Sequence, residues 1–208
     1  MYPDKNEAHD ILEEASKLNP GKWVTHSENV ANVASILAGA LGLDKDKAYI
    51  FGLLHDIGRR VGVTGTRHII DGYNYLKDLG YEEVGRYCLT HSYFVKDIQN
   101  IMGKWDFTTD EEIFINKYLK NTEYDMYDKI VQIADCMTLP EGVTLIERRL
   151  IDVYIRHGVN EHTIDNWNAV YRTQIEIENK LGYSIYKLFP AIKETFDSKL
   201  IKDVLIIE

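Results

Sequence analysis

Along most of the chain, apolar residues recur at spacings of three and four, the period of an amphipathic helix. Ala8, Ile11, Leu12, Ala15 and Leu18 form one stripe and predict a helix over residues 4–18, closed by Asn19-Pro20-Gly21. Val30, Val33, Leu37, Ala40 and Leu41 form a second over 24–42, with Thr25 as N-cap and Glu28 completing a capping box. His26 lies on that stripe, four residues before Val30. The third helix, 45–57 behind an Asp44 cap, is apolar on every side, with Tyr49, Ile50, Phe51, Leu53 and Leu54 preceding His55 and Asp56. A helix that is apolar all round belongs in the core. This one therefore carries an imidazole and a carboxylate inward, and a buried carboxylate is costly unless it is paired or binds a metal.

The same reading continues downstream. A Gly/Thr loop over 61–66 leads to a helix at 67–79 with Thr66 as cap, and His68, Gly72, Tyr75, Leu76 and Leu79 share one face. Gly72 sits one turn after His68 and leaves room beside the imidazole. The next helix, 82–92, turns Val84, Cys88 and His91 inward. Residues 93–124 are polar and aromatic. They predict one helix near 109–120, capped by Thr108 or Thr109, acting as a lid or a lateral insertion. In 125–138, Ile130, Ile133, Ala134 and Met137 make the apolar stripe, and Asp135 adjoins it in a run without charge after Lys129. Beyond Pro140 come three amphipathic helices, 143–157, 161–181 and 185–197, then an apolar tail at 200–207 suited to a docking strand or a homodimer contact. His9, His157 and His162 read as surface histidines. No convincing strand alternation occurs elsewhere, so the expected fold is all-α. The expected organisation is an N-terminal helix (1–21), a core (22–140) and a helical extension packed on it (141–208).

Charge narrows the partners. With 24 Lys and Arg against 33 Asp and Glu among 208 residues, the net charge is −9. That argues against long nucleic acid or an anionic membrane, both of which need a basic surface. A small phosphorylated ligand stays open, because a metal and a few arginines can override the global sign locally. Cys88 and Cys136 make neither a disulfide framework nor a CxxC pair, which points to a reduced, cytoplasmic setting. The first fifteen residues are acidic and lack an apolar core, so no signal peptide is expected. The longest uncharged run, 29–43, is too short for a membrane span.

Six groups with metal-ligating chemistry thus stand on inward helix faces, in the order His26, His55-Asp56, His68, His91, Asp135. The order resembles the H…HD…H…H…D pattern of the HD-domain metal-dependent phosphohydrolase superfamily, over about residues 22–138. His68 followed by Gly72, and the stretch from Asp128-Lys129 to Ala134-Asp135, resemble the family's third and last elements. The resemblance implies an all-α HD bundle in which His26, His55, Asp56 and Asp135 hold a first divalent metal. Asp56 would bridge to a second held by His68 and His91. Imidazole with carboxylate suits iron, manganese, cobalt, nickel or zinc. The implied activity is hydrolysis of a phosphate ester or anhydride of a nucleotide-like substrate by metal-activated water. The alternative is a nucleotide-sensing HD-fold protein without turnover. Asp56 and Arg59 would be catalytic, and Arg59 stands where many relatives carry lysine. Arg60, Arg67 and Lys129 are candidate substrate contacts, with Arg86, Arg148 and Arg149 further candidates. Arg59 and Arg60 also suit a solvated pair at a helix C-terminus. His91 is followed by Ser92 and no GYP stretch occurs, a departure from the cyclic-dinucleotide phosphodiesterases of the superfamily.

Overall fold

The structure is a computed structural model and describes residues 1–193. Helix α1 (Lys5–Leu18) opens on a capping box in which Asp4 and Glu7 satisfy each other's backbone N–H groups. It lays Ala8, Leu12 and Ala15 on the core. Helices α2 (Lys22–Ala40) and α3 (Lys45–Leu54) pack closely against each other. Gly52 permits the crossing, since a Cβ there would meet the Ala31 Cα at 2.9 Å. Helices α4 (His68–Asp78) and α5 (Glu82–Thr90) form a second packed pair, and α7 (Met126–Cys136) lies against α2, α3 and α5. The chain is all-α, apart from a two-residue hairpin of β1 (Thr138–Leu139) with β2 (Gly142–Val143) that the apolar pattern does not announce. Helix α8 (Ile146–His157) packs on α7, and α9 (Thr163–Leu181) covers α7 further along.

The all-round apolar character of α3 has its cause here. It runs between α1, α2, α5 and α7, so Phe51, Leu53 and Leu54 are fully buried on different sides. Each such side chain contributes about 1.5–3 kcal/mol of transfer free energy. A second cluster joins α2 and α7 to α8 and α9 through Val30, Leu37, Ile130, Ile133, Ile146 and Ile177.

Several local expectations are corrected. Thr25 is not the cap of α2. The helix starts three residues earlier, behind an extended Gly21 with no side-chain cap, and Trp23 Nε1 ties the entry by donating to the Asn19 carbonyl at 2.8 Å. Thr66 does not cap α4 either. Its hydroxyl donates to the Lys104 carbonyl and to Asp106, and it is Asp106 that accepts from the N–H groups of Gly65 (2.6 Å) and Arg67 (2.8 Å). Helix α3 stops at Leu54, and a 3₁₀ turn, Ile57–Val61, follows His55 and Asp56. The space at Gly72 serves backbone and sulfur rather than an imidazole, because a Cβ there would meet Cys88 Sγ at 2.9 Å and Gly58 N at 3.1 Å.

Within 93–124, helix α6 (Thr109–Asn121), capped by Thr108, packs laterally. It buries Ile115 and Leu119, and its Phe114 and Tyr118 lie against Tyr73 of α4. Of the helix expected at 185–197, the described residues hold a short 3₁₀ turn, Ile185–Leu188. Its end and the 200–207 tail lie outside them.

Candidate metal centre

Five helices bring the six ligand-type side chains to one place. His26 comes from the second turn of α2, and His55 and Asp56 follow the last residue of α3. His68 opens α4, His91 follows the end of α5, and Asp135 lies in the last turn of α7. Asp56 is central. Its Oδ1 is 3.2 Å from His68 Nε2 and 3.8 Å from His91 Nε2, and its Oδ2 is 3.8 Å from His55 Nε2. His26 Nε2 lies 2.9 Å from Asp135 Oδ1. The His55 and His91 rings stand edge to face, 4.8 Å between centroids.

Three of the rings are oriented by the same device. His55 Nδ1 donates to the Gly52 carbonyl at 2.7 Å, His68 Nδ1 to Gly65 at 2.8 Å, and His91 Nδ1 to Tyr87 and Cys88 at 3.0 Å. With the proton placed on Nδ1 by these carbonyls, each Nε2 lone pair points at the cluster, the arrangement that metal-ligating histidines use. Burial pushes the His55 and His91 imidazoles below their ordinary value. Burial and the Arg59 guanidinium push His68 down to about 3. All three are therefore neutral at pH 7, the form that can ligate.

Burial alone would raise both carboxyl groups. At Asp56, Arg59 and the surrounding imidazoles outweigh it and hold the group well below the usual carboxylate range. At Asp135 the His26 hydrogen bond and Arg149 do the same. Both are ionised.

The donor set fits a divalent ion. His55 Nε2 and Asp56 Oδ1 are buried without a hydrogen-bond partner, a costly condition for a bare pocket and the expected one for ligand atoms. Among the described residues, His26, His55 and Asp135 form one group with ligand atoms within 4.8 Å of one another, and His55, Asp56 and His91 form another.

The cluster lies in the wall of a cavity of about 560 Å³, within the size range of small-molecule sites. Arg59 reaches it, its Nε donating to Asp56 Oδ2 at 2.6 Å and its terminal nitrogen lying 3.4 Å from His68 Nε2. Three other expected contacts do not reach it. Arg60 pairs with Glu14 and stacks its guanidinium 3.9 Å over the Tyr75 ring. Arg67 is held by Asp71 and Glu111, and Lys129 by Glu176 at 2.6 Å. Arg86 is bound to the buried Asp128, which also accepts from Thr90 at 2.7 Å.

Another part of the cavity wall comes from α8 and α9. Arg149, Asp152, Tyr154, Arg156 and Asn166 line it, and so does His157, expected at the plain surface. The signal was present in the sequence. Arg149, Asp152 and Arg156 fall at i, i+3 and i+7 of a helix, one charged stripe beside an apolar one.

The fold and the six-group cluster define a class. A family description, the HD domain, matches residues 23–139, more than half of the chain, and the protein belongs to that family. HD domains bind divalent metals and are typically metal-dependent hydrolases. A curated relative is Ribonuclease Y of Fervidobacterium nodosum (strain ATCC 35602 / DSM 5306 / Rt17-B1), 42% identical over 64 residues, which is 31% of this chain and 11% of that protein. The chain therefore spans a small part of the relative it matches. No solved structure matches it. Among the described residues, no helix is long and apolar enough to cross a membrane.

Proposed function

We propose that this protein is a metal-dependent phosphohydrolase that cleaves a phosphate ester or anhydride of a small nucleotide-like substrate. The observation that carries the reading is the convergence of neutral Nε2 lone pairs and two ionised carboxylates, with His55 Nε2 and Asp56 Oδ1 unpartnered, in the wall of a ligand-sized cavity. His26, His55, Asp56 and Asp135 would hold one divalent ion. Asp56 would bridge to a second at His68 and His91; with one ion only, these two histidines would face the substrate phosphate. Iron, manganese, cobalt, nickel and zinc suit this donor set. Metal bound here supplies an acidified water and a Lewis acid for phosphoryl oxygen.

The protein's own contribution is placement. The Gly52, Gly65 and Tyr87 carbonyls fix the imidazole tautomers. Arg59 steadies Asp56 from one side and keeps guanidinium N–H groups free for phosphoryl oxygens. The net charge of −9 favours a small substrate over long nucleic acid. The two free cysteines suit a cytoplasmic setting.

The test begins with bound metal, measured by mass spectrometry. Phosphate release is then screened over nucleotides, dinucleotides and short RNA, with manganese, iron, cobalt and nickel supplied separately. Asp56→Ala should lose metal and turnover while keeping its helical circular dichroism. Unchanged metal content in that variant would sink the ligand assignment. Metal-free wild type that binds nucleotide tightly and releases no phosphate would establish a sensor instead.

A further inference from the structure

Helix α8 lies outside the segment matched to the HD family, yet it lines the cavity beside the cluster. Arg149, with 16% of its side chain exposed, places one terminal nitrogen 3.6 Å from Asp135 Oδ1 and the other 3.2 Å from Asp152 Oδ2. Its Nε is buried and has no partner. Asp152 is shared, because Arg156 also reaches its Oδ2 at 2.8 and 3.1 Å. Arg59 leans in the same way on Asp56. Arg59, and Arg149 in part, are therefore neutralised by the two carboxylates that the metal reading assigns to a cation.

Arginine cannot shed its proton. Once a dication takes the charge of Asp56 and Asp135, Arg59 loses its counter-charge and Arg149 keeps only a share of Asp152. A poorly compensated buried charge is expensive, and an anion in the cavity relieves it. The planar fork of a guanidinium matches phosphate oxygens in particular.

We propose that Arg149 is a substrate-phosphate contact of this site. With Arg59 it forms a clamp that takes a phosphoryl group from two sides and binds it tightly only when metal is present. The inference rests on the metal-centre reading above. It gives the region after the HD segment a role in substrate recognition.

Calorimetric titration with inorganic phosphate tests it, using metal-loaded and metal-stripped protein and the variants Arg149→Gln, Arg149→Lys and Arg60→Gln. Metal-loaded wild type should bind phosphate, and stripping the metal should weaken binding at least about tenfold. Arg149→Gln should weaken it about 10–100-fold with metal content unchanged, the scale of a lost charge-assisted contact. Arg60→Gln, an arginine paired with Glu14 away from the cavity, should stay within about threefold.

Wild-type phosphate affinity in Arg149→Gln overturns the proposal, as does equal affinity with and without metal. Loss of metal from Arg149→Gln overturns it too, since Arg149 would then serve only to hold Asp135. Should Arg149→Gln fail to fold, Arg149→Lys carries the test: lysine keeps the charge without the fork, and wild-type affinity there overturns the clamp. If wild type releases no phosphate from any substrate while Arg149-dependent phosphate binding persists, the hydrolase reading fails and this one stands.

Discussion

Gly58 follows Asp56 by two residues, and the structure gives it a specific task. A Cβ built on it would lie 1.9 Å from the His68 carbonyl oxygen and 2.5 Å from the Gly72 nitrogen. Both are backbone atoms, so no side-chain rotation can relieve the clash. To reach even a 3.0 Å contact, the Ile57–Val61 turn and the start of α4 must separate by about 1.1 Å. That gap is spanned by the site itself: Arg59 on the turn holds Asp56 at 2.6 Å, and His68 on α4 stands 3.2 Å from the same carboxylate.

Gly58→Ala should therefore cost about 2–3 kcal/mol in folding stability, the scale of overpacking against a rigid neighbour. For a chain of this length that is a fall in Tm of about 4–12 °C. A shift near 1 Å in supporting groups should lower metal affinity about 10–100-fold, with a comparable loss of turnover. Urea denaturation gives the first quantity, and competition against a metallochromic indicator the second. A Gly58→Ala variant with wild-type stability and wild-type metal affinity would refute the packing argument. It would also remove the structural reason for glycine after the His-Asp pair.

Other consequences are equally direct. Asp106 ties down the turn that leads into α4, so Asp106→Asn, which loses one acceptor oxygen, should destabilise by about 1–2 kcal/mol at pH 7 in thermal or urea unfolding. Burial raises the Asp106 carboxyl, but the Gly65 and Arg67 N–H groups, the Thr66 hydroxyl and the Arg67 charge more than reverse this and leave it low. A depressed folded pKa gives stability that is present above the unfolded value near 3.9 and is lost as pH falls through the folded one. The gap between wild type and Asp106→Asn should therefore close below about pH 4. Asp128→Ala strips the partner from Arg86 and the acceptor from Thr90, and should cost about 3–5 kcal/mol in urea unfolding without altering metal stoichiometry. Chelation should lower Tm, by an amount that grows with the logarithm of metal affinity, because a ligand that binds only the folded state stabilises it by mass action. An unchanged Tm after verified metal removal would contradict the ligand assignment.

Helical periodicity was enough to place most helices and to show that His26, His55, Asp56, His68, His91 and Asp135 face inward. Apolar pattern is a property of each segment alone, and a ligand on a buried face has few places to go. Capping was less legible. Thr25 with Glu28 matches a capping box, but the preceding Asn19-Pro20-Gly21 turn starts α2 sooner, and a local motif cannot report that competition. Thr66 has the residue type and position of a cap, yet its hydroxyl is spent on Lys104 and Asp106, and Asp106, about forty residues on, fixes the Gly65–Arg67 turn ahead of α4.

The arginines and lysine mark the boundary most clearly. Long cations have no periodicity that says what they meet. Arg60, Arg67 and Lys129 find carboxylates 46, 44 and 47 residues away and turn from the cavity. Arg149 arrives from a helix that the six-group pattern does not include. Sequence by itself determined the all-α class and the order and inward placement of the four histidines and two aspartates, because these follow from local period and residue chemistry. Which cations face the cluster, which carboxylate holds the turn before α4 and which helix walls the cavity were decided only by tertiary packing. Each of these depends on a partner brought near by the fold rather than by the chain.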